Sequence, residues 1–248
     1  MTNKKYFVGN WKMFGDFNSF KIVKKINQFS YKFKNSKIVL CVPNTLIHFF
    51  DKKLKSKKIY LGAQNCHHNN DYGAFTGSVN AYMLKKAGAK YIILGHSENR
   101  RNGDTNFFIK KKIDNSLKQK LNIIFCIGEN LSERRKGKTF YILKKQIKEC
   151  VEKKFDLSKI IIAYEPVWSI GTNKILKNIE LEKIIKFIKS EYKKNFKLKN
   201  NPKVLYGGSV NPVNIKKLSL VSQIDGFLIG GASQSSKKFI DILKNYYK

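Results

Sequence analysis

IIIAYEPVWSIGTNK, residues 160–174, joins a nearly unbroken apolar run to a polar exit. The run is dominated by β-branched residues, the pattern of a parallel strand covered on both faces. Glu165 closes it, and Pro166 follows at once. Proline stiffens that exit, and Gly171 permits a sharp turn beyond it. Trp168 and Ile170 make the segment amphipathic, which suits a lid that excludes water from a ligand. Downstream, Leu181, Ile184, Ile185 and Ile188 recur at helical spacing across 178–195.

The same unit recurs along the whole chain. YFVGNW (6–11), KIVLCV (37–42), IYLGAQN (59–65), YIILGH (91–96), NIIFCIGE (122–129), IIIAYE (160–165), KVLYGG (203–208) and GFLIGG (226–231) are eight short apolar runs. Lys-rich segments of helical period lie between them. Across 16–33, for example, Phe20, Val23, Ile26 and Phe29 fall on one stripe. Strand–helix alternation implies a parallel α/β sheet with right-handed crossovers. Eight units of about 31 residues fit a closed (β/α)₈ TIM barrel better than an open doubly wound sheet. Only four prolines and no Gly/Ser-rich tract occur, so residues 1–248 read as one domain.

Composition excludes several classes. The apolar fraction of 42% supports a sizeable core. No run of about 18 apolar residues is present, which argues against a membrane span. The lead from Met1 to Asn10 has no apolar segment of signal-peptide length, so a cytoplasmic setting is expected. Cys41, Cys66, Cys126 and Cys150 form no CxxC pair, and two of them sit inside apolar runs, as reduced buried thiols do. The formal charge of +33 raises the idea of a nucleic-acid partner. Arginine, however, occurs only at 100, 101, 134 and 135. Base readers and phosphate clamps lean on the guanidinium fork, and the lysines here are spread along the chain. A specific nucleic-acid partner is therefore not expected.

Polar residues gather at the C-terminal ends of the runs: Asn10 and Lys12 after the first, His96 after the fourth, Glu165 after the sixth. Glycine pairs close the last two, at Gly207-Gly208 and Gly230-Gly231. In a barrel these ends converge on one mouth. Each residue alone has a bland reading. Lys12 could be solvated, His96 a satisfied core residue, and Glu165 a surface acid in an ordinary loop. Together they offer a cation for an anionic substrate, a donor to a carbonyl and a carboxylate base. The glycine pairs would let backbone N–H groups approach a phosphate. Cys66, His67 and His68 are three adjacent residues, which do not readily ligate one tetrahedral ion, so no metal is expected. No motif calls for a dinucleotide or other cofactor, and proton abstraction beside the carbonyl of a small phosphate ester is the chemistry that fits.

GNWKM (9–13), GAFTG (73–77), LGHSE (94–98), CIGE (126–129), AYEPVW (163–168), IGT (170–172) and YGGSVNP (206–212) stand in this order along the chain. In them the sequence resembles the triosephosphate isomerase family over essentially its whole length. The resemblance implies a cofactor-free isomerase of glycolysis and gluconeogenesis that interconverts dihydroxyacetone phosphate and glyceraldehyde 3-phosphate. It implies Glu165 as the base, His96 as a neutral imidazole that donates to the enediolate oxygens, and Lys12 as the local positive charge. Asn10 would help to place the substrate, and Gly171, Ser209, Gly230 and Gly231 would bind its phosphate. Residues 166–176 would form the lid, latched by Tyr206 and Ser209, with Glu129 meeting Trp168. Ser97 and Glu98 would stand behind the groups that touch substrate. It also implies a homodimer in which the 64–80 loop, with Phe75 at its tip, inserts beside the partner's active site.

The chain departs from the family pattern at several positions. Asn99 and Asp104 stand where the family carries Arg and Glu, so a charge pair is expected to weaken. Ser169, Asn173, Ile175 and Leu176 alter the lid, and Ser78 follows GAFTG in place of Glu. These changes bear on lid kinetics and stability and leave the catalytic groups in place. Two other readings remain at this point: a different phosphate-binding barrel enzyme, and a basic nucleic-acid-binding protein that kept an inactive barrel.

Overall fold

The computed structural model describes residues 4–172 and 175–248; Met1 to Asn3 and the lid positions Asn173 and Lys174 lie outside the described residues. Each of the eight apolar runs forms a strand: β1 (Lys5–Asn10), β2 (Ser36–Cys41), β3 (Tyr60–Ala63), β4 (Tyr91–Leu94), β5 (Asn122–Ile127), β6 (Ile160–Tyr164), β7 (Lys203–Tyr206) and β8 (Gly226–Ile229). They pair in parallel in chain order, and β8 closes on β1 with Phe7 opposite Phe227. The helices are α1 (Phe20–Ser30), α2 (Asn44–Lys53), α3 (Ala81–Lys86), α4 (Ser97–Arg101), α5 (Asn106–Lys118), α6 (Leu131–Arg135), α7 (Thr139–Cys150), α8 (Asn178–Phe196), α9 (Ile215–Ser219) and α10 (Ser236–Tyr246).

The near-continuous apolar character of the strands has a direct cause. Successive side chains alternate between the barrel interior and the helix layer. Val8, Val39, Tyr91, Ile93, Ile124, Ile161 and Ala163 belong to the inner cluster. Phe7, Leu40, Ile92, Ile123 and Ile162 pack outward with the helices. Leu181, Ile184, Ile185 and Ile188 of α8 are buried on that outer layer. Val23 and Ile26 of α1 do the same, with Phe20 and Phe29 partly covered. The helical stretch expected across 16–33 is shorter, because Asp16 caps a single 3₁₀ turn, Phe17–Ser19, before α1 begins.

All four cysteines are buried and free. Burial pushes the Cys66 thiol up to about 11 and the Cys150 thiol up to about 12, so neither is a ready nucleophile. The charge pair expected to weaken is re-formed with a different partner. The Asn99 side chain turns to the Gln64 carbonyl and meets Asp104 only through its own carbonyl, which accepts the Asp104 N–H at 3.0 Å; Lys112, itself buried, bonds Asp104 Oδ1 at 2.5 Å and Asn65 Oδ1 at 3.0 Å. Arg100 turns instead to the Gly95 carbonyl at 2.8 Å and to Asn106 Oδ1 at 2.6 Å.

Candidate active site

The alternation that fills the barrel also sets its upper rim. Ile161 and Ala163 point inward along β6, and Glu165 is the next residue in that period-two series. Along β1 the same series runs from Val8 to Asn10. The two polar groups therefore cap a stack of apolar side chains. Glu165 is 3% exposed. Two glycines make room for it. A Cβ on Gly207 would meet the Glu165 Cγ at 2.8 Å, and one on Gly128 would meet its carbonyl oxygen at 1.8 Å. Gly207 thus serves the base, and its N–H is already given to the Tyr164 carbonyl at 2.8 Å. Gly208 likewise clears the Tyr206 hydroxyl. Gly207 is therefore a packing device, its N–H committed to the strand, while Gly208 still lines the cavity.

His96 sits at the N-terminus of α4, where helical N–H groups lack partners. The Glu98 N–H donates to His96 Nδ1 at 3.2 Å. An accepting Nδ1 leaves the ring proton on Nε2, a tautomer assigned from the hydrogen-bond network. That Nε2 lies 3.3 Å from Glu165 Oε1. The donor and the carboxylate are thus adjacent, and both are buried.

Lys12 adopts a left-handed backbone, with φ of 56°. For a residue with a Cβ this costs on the order of 1–2 kcal/mol. Its N–H is held by Asn10 Oδ1 at 3.1 Å, and Gln234 Nε2 donates to the neighbouring Trp11 carbonyl at 2.7 Å. The turn aims Lys12 across the mouth, where Nζ meets Glu98 Oε1 at 2.5 Å. Burial works against charge on Glu98, but Lys12 and His96 outweigh it and hold the carboxyl below its usual range. On Glu165 burial wins. It raises the carboxyl above its ordinary 4.5 in spite of His96, Cys126 and Lys12.

The described part of the lid is folded against the barrel. Trp168 Nε1 donates to Glu129 Oε1 at 3.1 Å, and the Tyr164 hydroxyl donates to the same carboxylate. Glu129 is fully buried, and burial raises its carboxyl. Ser209 Oγ donates to the Ser169 carbonyl at 2.7 Å. The Tyr206 hydroxyl is enclosed beside Ser169 and the Leu176 backbone. Gly171 has φ of +73°, which favours glycine, with open space around it.

A cavity of about 540 Å³ runs beneath this lid. Asn10, Lys12, His96, Glu165, Gly171, Ser209, Gly230 and Gly231 all line it, so the eight candidate residues share one site. Gly231 opens a 3₁₀ turn, Gly231–Gln234, and no atom lies within 4 Å of where its Cβ would stand. That leaves its backbone free to be approached by an anion. Several lining residues were given no role by sequence reading, among them Leu228, Val210, Val213, Ala232 and Lys238. Leu228 follows from the inward period of β8; Lys238 is one lysine among many and carried no signal. Among the described residues no cluster of His, Cys, Asp or Glu has metal-binding geometry, and no helix is long and apolar enough to cross a membrane.

The profile of the triosephosphate isomerase family matches residues 5–246. Triosephosphate isomerase from Dictyoglomus turgidum is 37% identical over 250 residues, covering 98% of this chain and 99% of that protein. The Amoebophilus asiaticus enzyme of the same name is 40% identical over 245 residues, covering 95% and 96%. The crystal structure of triosephosphate isomerase from Bartonella henselae superposes with a TM-score of 0.90 at 33% identity, covering 99% of this chain and 100% of that one.

Proposed function

The chain belongs to the triosephosphate isomerase family, and on that premise we propose how its cavity interconverts dihydroxyacetone phosphate and glyceraldehyde 3-phosphate. The phosphate rests on the backbone of Gly171, Ser209, Gly230 and Gly231. The carbonyl and hydroxyl oxygens face His96 Nε2 and Lys12, with Asn10 beside them. Glu165 takes a proton from the carbon next to the carbonyl, and charge moves onto oxygen as an enediolate. His96 and Lys12 stabilise that charge as it develops. His96 moves a proton between the two oxygens, and Glu165 returns its proton to the neighbouring carbon. No hydrogen is gained or lost overall. The single observation that carries this reading is the 3.3 Å approach of Glu165 Oε1 to His96 Nε2 on the floor of the cavity.

Running the reaction in heavy water tests it. Proton transfer through a carboxylate lets solvent hydrogen enter the product carbon. Deuterium at the product carbon is the expected result; product free of deuterium would show that the transferred hydrogen never exchanges with solvent and would leave the carboxylate route without this support.

The reading extends to assembly and place. Residues 1–248 act as one catalytic domain in the cytoplasm, as a homodimer. Phe75 is 41% exposed and Tyr72 is 77% exposed in the single chain, and Met13 beside the mouth is fully exposed. A second cavity of about 340 Å³ adjoins Asn10, Lys12, Met13 and His96. The 64–80 loop of the other subunit fits that place, with the partner's Thr76 near Asn10 and His96.

A further inference from the structure

The opposite mouth of the barrel, at the N-terminal ends of the strands, holds a separate concave site of about 340 Å³. Six lysines converge on it from β2, β7 and the segments before β1, β2 and β3: Lys4, Lys34, Lys37, Lys57, Lys58 and Lys203. Among the described residues no carboxylate lines it. The two acids that pair with its lysines are shared or already engaged. Asp51 pairs with Lys57 at 2.7 Å. Asp225 serves Lys189 at 2.8 Å and Lys203 at 3.8 Å, and accepts the Val204 N–H. Among the described residues Lys4, Lys34, Lys37 and Lys58 have no ion-pair partner.

Lysine bias alone would scatter charge over convex surface, where water solvates each ammonium separately. Here the charges face one another across a hollow. Lys37 is the centre of the arrangement. Its Nζ lies 5.4, 5.5 and 5.8 Å from the ring centroids of Tyr6, Tyr60 and Tyr91. Three aromatic rings hold the ammonium in place without neutralising it. Half-burial, together with Lys4, loosens its hold on the proton. Mutual repulsion in such a hollow is relieved by an anion, and the field there concentrates one.

We propose that this mouth binds a compact small molecule carrying two or more phosphate groups. Lysine is a point-charge phosphate binder. One phosphate group carries about −1.5 to −2 and cannot balance four unpaired ammonium groups. The volume lies in the range of small-molecule sites, about 300–1,000 Å³. The single-phosphate substrate of the other mouth is therefore not the matching ligand.

Calorimetric titration with pyrophosphate tests the proposal, with excess glycerol 3-phosphate filling the active site. At about 0.15 M salt, longer-range surface attraction is screened. One equivalent of pyrophosphate should bind the parental protein, and inorganic phosphate should bind at least tenfold more weakly. Lys37→Gln should weaken pyrophosphate roughly tenfold or more, the loss of one charge-assisted contact. The double variant Lys34→Gln/Lys58→Gln changes only exposed side chains, so it tests the site even if Lys37→Gln folds poorly. Both should keep the parental isomerase rate. Absence of saturable binding would overturn the proposal. So would equal weakening by Lys216→Gln/Lys217→Gln, two exposed lysines on α9, because that would show diffuse charge only.

Discussion

Glu165 is a buried acid whose proton is held more tightly than usual, and this has two consequences of opposite sign. As a base it must be ionised, so the acid limb of kcat/KM should lie above the ordinary value of 4.5. A pH–rate profile that stays flat to pH 4.5 would contradict that. For stability, a raised folded-state pKa means that the folded chain binds the proton more readily than the unfolded one. The penalty is absent at low pH, grows through 4.5 and is complete above the folded value. Glu165→Gln should therefore melt at the same or a higher temperature at neutral pH, with the difference closing toward pH 4. A melting series across pH checks the sign. His96 is expected to act as a donor to developing charge. Removing such a donor in His96→Ala costs about 10²–10³ in kcat. The affinity for glycerol 3-phosphate should fall far less. Equal losses in both would mark the residue as structural.

At the scale of the element, the lid is positioned by contacts at its base: Trp168 to Glu129, and Ser209 to the Ser169 carbonyl. Gly171 must take a positive φ there. Gly171→Ala adds strain of about 1 kcal/mol in the folded-down lid, and more if the new methyl displaces phosphate. An enediolate left open to water can expel its phosphate. The variant should lower isomerisation and release a larger share of methylglyoxal, and an unchanged product ratio would sink the protective role given to the lid. The elements were legible in the sequence because parallel strands buried on both faces write themselves as unbroken apolar runs. All eight runs became strands. The site was legible for a related reason: a polar residue ending such a run, as in Asn10 and Glu165, has nowhere to point but the mouth. The left-handed turn at Lys12 was not legible, because lysine gives no local sign of a positive φ. Nor was the true work of Gly207, since the need for that glycine comes from a side chain 42 positions earlier. The partner exchange at Asp104 was hidden for the same reason. Lys112 reaches it from the following helix, and no pattern marks which of many lysines will do so.

For the whole molecule, the exposed tip of the 64–80 loop and the charge of +33 oppose each other. Phe75 packs against His67 in a tilted pair, ring centroids 4.6 Å apart, yet remains 41% exposed. In the proposed dimer, burying the rest of it would contribute part of the roughly 1.5–3 kcal/mol available to such a side chain. A two-fold interface repeats each contact, so one substitution acts twice. Phe75→Asp should give monomers with sharply reduced activity, and moderate salt should strengthen the parental dimer by screening repulsion. Light scattering at matched concentration decides it; a monomeric, fully active parental protein would refute the assembly.

The chemistry proposed for this cavity rests on Glu165 as its base. The measurement that reaches it most directly is kcat/KM for glyceraldehyde 3-phosphate in a coupled assay, taken on the parental protein and on Glu165→Gln in parallel. A lost general base removes about 10²–10⁴ of the rate. The parental enzyme should be active and the variant slower by that factor or more, with the fold intact. A Glu165→Gln protein turning over at the parental rate would contradict it.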